Sequence, residues 1–201
     1  MPAAAPADKR TAILEAATAT FAKHGYFGSQ VADIARAAGI AAGTVYLYFR
    51  SKDEILSSIF DRTMKEAIAE GRAALAEVAD PVERLRRIAH LHLARLGRDR
   101  NLAVVFQVEL RQTTKFMEQF SRAGFADYLA LIQQTIEQAQ ASGAFRKGLN
   151  PRTASKVFFG ALDEMATNWI LSRRRYPLAA QADEVVDLLV GGFGAPGKAG
   201  R

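Results

Sequence analysis

The stretch VADIARAAGIAAGTVYLYFRSKDEIL, residues 31–56, decides the fold. Val31, Ile34, Ala35 and Ala38 recur at helical spacing, which makes one side of a brief helix apolar. Gly39 interrupts that helix at a turn expected to need a positive φ, and residues 42–48 read as a second short helix. Two helices joined by a glycine-containing turn make a helix-turn-helix. Ile34 and Val45 are placed to lock the pair and Phe49 to join the core, which leaves Thr44, Tyr46 and Tyr48 on the other side. Ser51, with Glu54 three residues on, forms a capping box, so a long helix begins there and reaches Gly71 or beyond.

Upstream, residues 8–24 carry Ile13, Leu14, Ala17 and Phe21 on one helical face, and Gly25 ends the helix. Downstream, Pro81 opens a helix with Leu85, Ile88, Ala89, His92, Leu93 and Leu96 on one face, closing near Gly97. Further helices are expected over residues 101–120, 124–142, 151–175 and 181–190. Residues 1–7 and 191–201 are expected to be loose. The expected fold is all-α: an N-terminal three-helix helix-turn-helix head, residues 8–55, joined to a larger helical body, residues 56–193. Because that boundary falls inside one helix, the two parts are expected to move together.

Composition narrows the function classes. The 201 residues are 49% apolar and 24% charged, enough for packed domains and unlike a disordered chain. Zero cysteines exclude disulfides and cysteine-ligated metals, and three histidines leave little for any metal centre. No apolar run is long enough to span a membrane and the N-terminus lacks a signal core, so a cytoplasmic location is expected. The net charge of +6 permits a polyanionic partner or an anionic ligand. Residues 1–60 hold six Lys or Arg against five Asp or Glu, so the head itself is not strongly basic.

The ordered set Gly25-Tyr26, Asp33-Ile34-Ala35, Ala38-Gly39, Gly43-Thr44, Tyr46, Tyr48-Phe49 and Lys52 resembles the DNA-binding segment of the TetR family of transcriptional regulators, over about residues 8–60. The resemblance implies that the second short helix enters the major groove of a palindromic double-stranded operator. It makes Gln30, Ala42, Gly43, Thr44, Tyr46 and Tyr48 candidates for base or phosphate contact, and it places Lys52 against the DNA backbone. Two positions depart from the family pattern, which favours hydroxyl residues at Ala41 and Gln30. Ala41 has no side-chain oxygen with which to cap the recognition helix.

The resemblance also implies a homodimer and a small-molecule effector. Val157, Phe158, Ala161, Leu162, Met165 and Trp169, with Val185, Leu188 and Leu189, are the candidate pairing surface; packing within the monomer is the alternative. The segment FQVELRQTTKFMEQF, residues 106–120, is similar to the corresponding helix of acyl-CoA-responsive repressors of fatty-acid degradation within the family. Phe106, Leu110, Phe116, Met117 and Phe120, with His92, Leu93 and Leu96, are the expected lining of an apolar tunnel. A CoA thioester also needs cations for its phosphates, and Arg86, Arg111 and the run Arg84, Arg87, Arg95, Arg98 and Arg100 are candidates. A solvated basic face, with Glu109 and Arg111 as a structural ion pair, is the alternative. Free fatty acids, aromatic compounds and cationic drugs are competing effectors. No catalytic constellation, metal or cofactor is expected.

Overall fold

The computed structural model describes residues 6–112, 116, 118 and 124–193, with side chains from Lys9 onward. It is all-α. In chain order the described elements are α1 Pro6–His24, α2 Val31–Ala37, α3 Ala42–Val45, α4 Lys52–Leu75, α5 Pro81–Arg98, α6 Arg100–Gln107, a 3-10 turn Glu109–Arg111, α7 Gly124–Ala141, α8 Pro151–Leu171, a second 3-10 turn Leu178–Gln181, and α9 Ala182–Phe193. They group into two compact units. Unit 1 holds the described residues up to Thr63 together with α6 and the first 3-10 turn; unit 2 holds Met64 to Asp99 and α7 to α9. The dividing line falls within α4. It differs from a division at residue 55 by placing α6 beside α1, against which it packs.

In unit 1 the predicted faces are buried: Ile13, Leu14, Ala17 and Phe21 on α1, Ile34 on α2, Val45 on α3 and Phe49 after it. Gly25 (φ 73°) and Gly39 (φ 68°) occupy left-handed backbone that a side chain would strain. The second helix is shorter than the expected 42–48. After Val45 the chain closes by tight turns, Leu47 N–H to Thr44 carbonyl and Tyr48 N–H to Val45 carbonyl, and these return Phe49 to the core. Ser51 Oγ accepts from Glu54 N–H at 3.1 Å, and the Glu54 carboxylate reaches back to Arg50 N–H at 2.6 Å, one residue earlier than the usual box.

The helix expected over residues 101–120 ends at Gln107. Val108 keeps its N–H bond to the Val104 carbonyl at 2.8 Å but with an extended φ (φ −117°, ψ −61°), and Glu109, which opens a 3-10 turn, is buried. Glu109 accepts a hydrogen bond from the α1–α2 turn, described below.

In unit 2 the predicted face of α5 is buried, and α7, α9 and the second 3-10 turn pack around that helix. Asp80 caps α5 through Val82 N–H, with Pro81 in the first turn; Asn150 caps α8 through Thr153 N–H. α8 stops at Leu171, short of residue 175, because the Trp169 indole N–H donates to the Tyr176 carbonyl at 2.9 Å and holds the reversed chain. α9 runs on through Phe193 where a loose end was expected. The Phe193 ring packs edge-on against Phe145 at 5.7 Å and its carbonyl accepts from Arg146 N–H.

Ala41 stands at the N-cap of α3 and offers no side-chain acceptor. Ala41→Ser supplies one and is expected to raise the unfolding free energy by about 1 kcal/mol in urea denaturation; an unmoved midpoint would show that the bare cap costs nothing.

Candidate nucleic-acid interface and effector site

The face left over when α2 and α3 bury Ile34 and Val45 is small and mostly apolar. Ala42, Gly43 and Tyr46 are exposed, Tyr46 by 57%, whereas Thr44 and Tyr48 are half-buried. A Cβ added at Gly43 would meet nothing, so the main chain there is open to close approach. Leu47, at 81% the most exposed large apolar side chain among the described residues, stands beside Tyr46 and was not among the predicted contacts. Its signal in the sequence was only its position between two tyrosines. Gln30 is exposed at the start of α2, and its N–H donates to the Asp33 carboxylate at 3.0 Å. That backbone bond, helped by Arg36, holds the Asp33 carboxyl below its ordinary range.

Lys52 is half-buried and engaged within the fold. Its Nζ donates to the Tyr26 and Ser29 carbonyls, each at 2.7 Å, and lies 4.3 Å over the Tyr26 ring. Tyr26 is buried; its phenol donates to Asp53 and its backbone N–H donates to Glu109 Oε2 at 2.6 Å. Burial first, and the Asp53 carboxylate second, push the Tyr26 phenol well above its ordinary range. Gln112 also donates to Glu109, at 2.7 Å. The ring of Phe116 meets Tyr26 edge-on at 4.8 Å. The sequence marked Gly25-Tyr26 as part of a motif; Glu109 was expected only as a neighbour of Arg111, since no local pattern reports a bond across 83 residues.

The residues expected to line an effector tunnel fall in both units. In unit 1, Phe106, Leu110 and Phe116 are buried, with the Phe106 ring tilted against Phe60 at 5.5 Å; Met117 and Phe120 lie outside the described residues. Arg111 is exposed and its Nε donates to the Phe106 carbonyl at 3.4 Å. In unit 2, Leu93 and Leu96 are buried and His92 joins a cluster of rings with Tyr128 and Phe159. Two of the candidate phosphate-binding arginines are bound to carboxylates instead. Arg86 bridges from α5 to Asp183 and Asp187 of α9 at 3.1 and 2.7 Å, and Arg95 reaches Glu66 and Glu70 of α4 at 3.2 and 2.5 Å. Arg87 and Arg98 are exposed.

The candidate pairing residues divide by face. Phe158 and Leu162 are fully buried within unit 2, and Trp169 and Val185 nearly so. What α8 and α9 turn outward is Val157 (48% exposed) and Leu188 (73% exposed), with Ala161, Met165 and Leu189 half-buried.

Among the described residues no helix is long and apolar enough to cross a membrane, and no group of three or more His, Cys, Asp or Glu could hold a metal ion. Residues 13–59 match the family of bacterial regulatory proteins of the tetR type, and residues 60–192 match the C-terminal region of YsiA-like proteins. The chain is 36% identical to the fatty acid metabolism regulator protein of Bacillus subtilis over 181 residues, 90% of this chain and 93% of that protein. The crystal structure of the transcriptional regulator FadR from Bacillus subtilis in complex with stearoyl-CoA is similar at a TM-score of 0.86 and 35% identity, over 91% of this chain and 98% of that one. The fatty acid degradation regulator FadR from Bacillus halodurans is similar at 0.89 and 34% identity, over the whole of both chains.

The internal bonds of Lys52 and the exposure of Tyr46 give opposite expectations for the two residues. Lys52→Met, which leaves two carbonyls without their donor, is expected to lower stability by about 2 kcal/mol in urea denaturation while leaving the salt dependence of duplex binding unchanged. Tyr46→Ala is expected to do the reverse, weakening binding to the operator at unaltered stability. A shallower salt slope for Lys52→Met would return that residue to the DNA backbone.

Proposed function

Because the chain belongs to the TetR family of bacterial DNA-binding regulators, we propose that it represses fatty-acid degradation genes as a homodimer on a palindromic operator, and that a medium- or long-chain acyl-CoA releases it. Members of the family regulate transcription and are not enzymes. The observation that carries the effector is the similarity to the stearoyl-CoA-bound regulator, which extends over 91% of this chain and so includes the body as well as the head.

The residues favour that chemistry. Rings and aliphatic side chains dominate the interior of α5, α7 and α8, and buried apolar surface is what an acyl chain recognises. Arg87 and Arg98, exposed on α5, are of the type that holds phosphate through a planar fork of donors, whereas Arg86 and Arg95 are occupied by carboxylates. In the head, Tyr46 with Ala42 and Gly43 forms the reading face, supported by Thr44 and Tyr48. α4 is one continuous helix from Lys52 in unit 1 to Leu75 in unit 2. An effector that binds one conformation of the dimer better than another shifts the operator-bound population by that difference in affinity, with no further contact to DNA required.

The deciding experiment is binding to the duplex upstream of the protein's own gene, titrated with acyl-CoAs of several lengths, free fatty acids and CoA alone. Release by acyl-CoA and not by CoA is expected; tight specific binding that none of them disturbs would overturn the effector assignment and leave the regulator. Pairing is tested by Leu188→Glu, which places a carboxylate of each copy on the proposed interface. Sedimentation is expected to shift from dimer to monomer with unchanged helicity and loss of operator binding. A variant that remains dimeric would move the interface elsewhere.

A further inference from the structure

His92 lies on the apolar face of α5 and is satisfied at one ring nitrogen only. Its Nδ1 is 3.0 Å from the Tyr128 hydroxyl, and its Nε2 is buried with no hydrogen-bond partner. The surroundings are aromatic: Tyr128 and Phe159 each stand 5.8 Å from the imidazole, and Phe125 packs on Phe159 at 4.8 Å. Packing alone gives no reason for a histidine here, because a phenylalanine or leucine would fill the same face without stranding a polar atom.

The protonation states follow from burial. Desolvation depresses the imidazole to about 4, against the opposing pull of Asp163 and with the help of Arg95, so the ring is neutral near pH 7. Burial pushes the Tyr128 phenol upward, so it keeps its proton and can donate to Nδ1. The tautomer that accepts at Nδ1 carries its one N–H at Nε2. In that tautomer the ring presents a fixed, uncharged donor among other rings.

We propose that His92 Nε2–H donates to an uncharged carbonyl oxygen of the effector, and that this selects an acyl thioester over the corresponding free fatty acid. The assignment rests on the acyl-CoA reading above. A thioester offers a single neutral acceptor between its hydrocarbon chain and its charged carrier, which matches a single neutral donor in an apolar setting. A carboxylate does not match. It would lose its hydration without gaining a cation, since the imidazole is neutral, and the Asp163 carboxylate that acts on His92 would repel it.

The test compares palmitoyl-CoA, the thioether S-hexadecyl-CoA, in which a methylene replaces the carbonyl, and palmitate, by calorimetry on the full-length protein and on His92→Phe. The wild type is expected to bind the thioester about tenfold tighter than the thioether, a ratio worth about 1.4 kcal/mol. In His92→Phe the two affinities should converge, with thioether affinity unchanged. Equal wild-type affinities, or a preference that survives in the variant, overturn the role of His92 while leaving an acyl-CoA effector in place. No binding of either CoA derivative by the wild type overturns both proposals. Should His92→Phe fold poorly, nitrogen-15 spectra of histidine-labelled wild type decide: the Nε2–H resonance is expected to shift with palmitoyl-CoA and not with the thioether. Identical spectra with both ligands overturn the proposal.

Discussion

The backbone N–H of Tyr26 donates to a buried glutamate 83 residues further along the chain, while the phenol of the same residue donates to Asp53 and its carbonyl accepts from Lys52. One residue thereby ties together the turn between α1 and α2, the first turn of α4, and the 3-10 segment after α6. A carboxylate at 4% exposure is costly to bury unless it is hydrogen-bonded, and Glu109 is bonded by both Tyr26 and Gln112. Removing the Glu109 carboxylate would leave the buried Tyr26 N–H without its acceptor. The early end of α6 accompanies this bond: Glu109 reaches Tyr26 from a 3-10 turn and not from a continued α-helix.

The long basic side chains illustrate how a charge in sequence carries no address. Lys52, Arg86 and Arg95 stood in patterns that suggested phosphate, and each is bound within its own unit: Lys52 to main-chain carbonyls, the arginines to carboxylates on a neighbouring helix. His90 and then Arg86 hold the Asp183 carboxyl below its ordinary range, the mark of a carboxylate kept ionised by its partners. These pairs are partly exposed and contribute little individually to stability. Their effect is on register, fixing which turn of α9 faces which turn of α5.

In unit 2 the two sides of α8 do different work. Phe158, Leu162 and Ala166 face inward and are fully buried, while Val157 and Leu171 face outward on the same helix. The same interior contains His92, whose Nε2 is buried with no hydrogen-bond partner.

The sequence by itself determined the local elements. The positive φ of Gly39, the Ser51 cap, the apolar faces of α1, α2, α5 and α8, and the exposure of Tyr46 were all legible, because each depends on spacing within a few residues and on the backbone preferences of single amino acids. The family was legible for the same reason: its motif is a dense local run around two tight turns. What only the tertiary structure decided was everything that depends on residues meeting across long separations. Periodicity placed Phe158 and Leu188 in one class, and only packing against α7 shows that the first is core and the second is surface. Charge counting could not tell Arg86 from Arg87, since an ion pair is formed by the approach of another helix and leaves no trace in the intervening chain. The end of α6 was hidden for the same reason, because the bond that accompanies it is made to Tyr26.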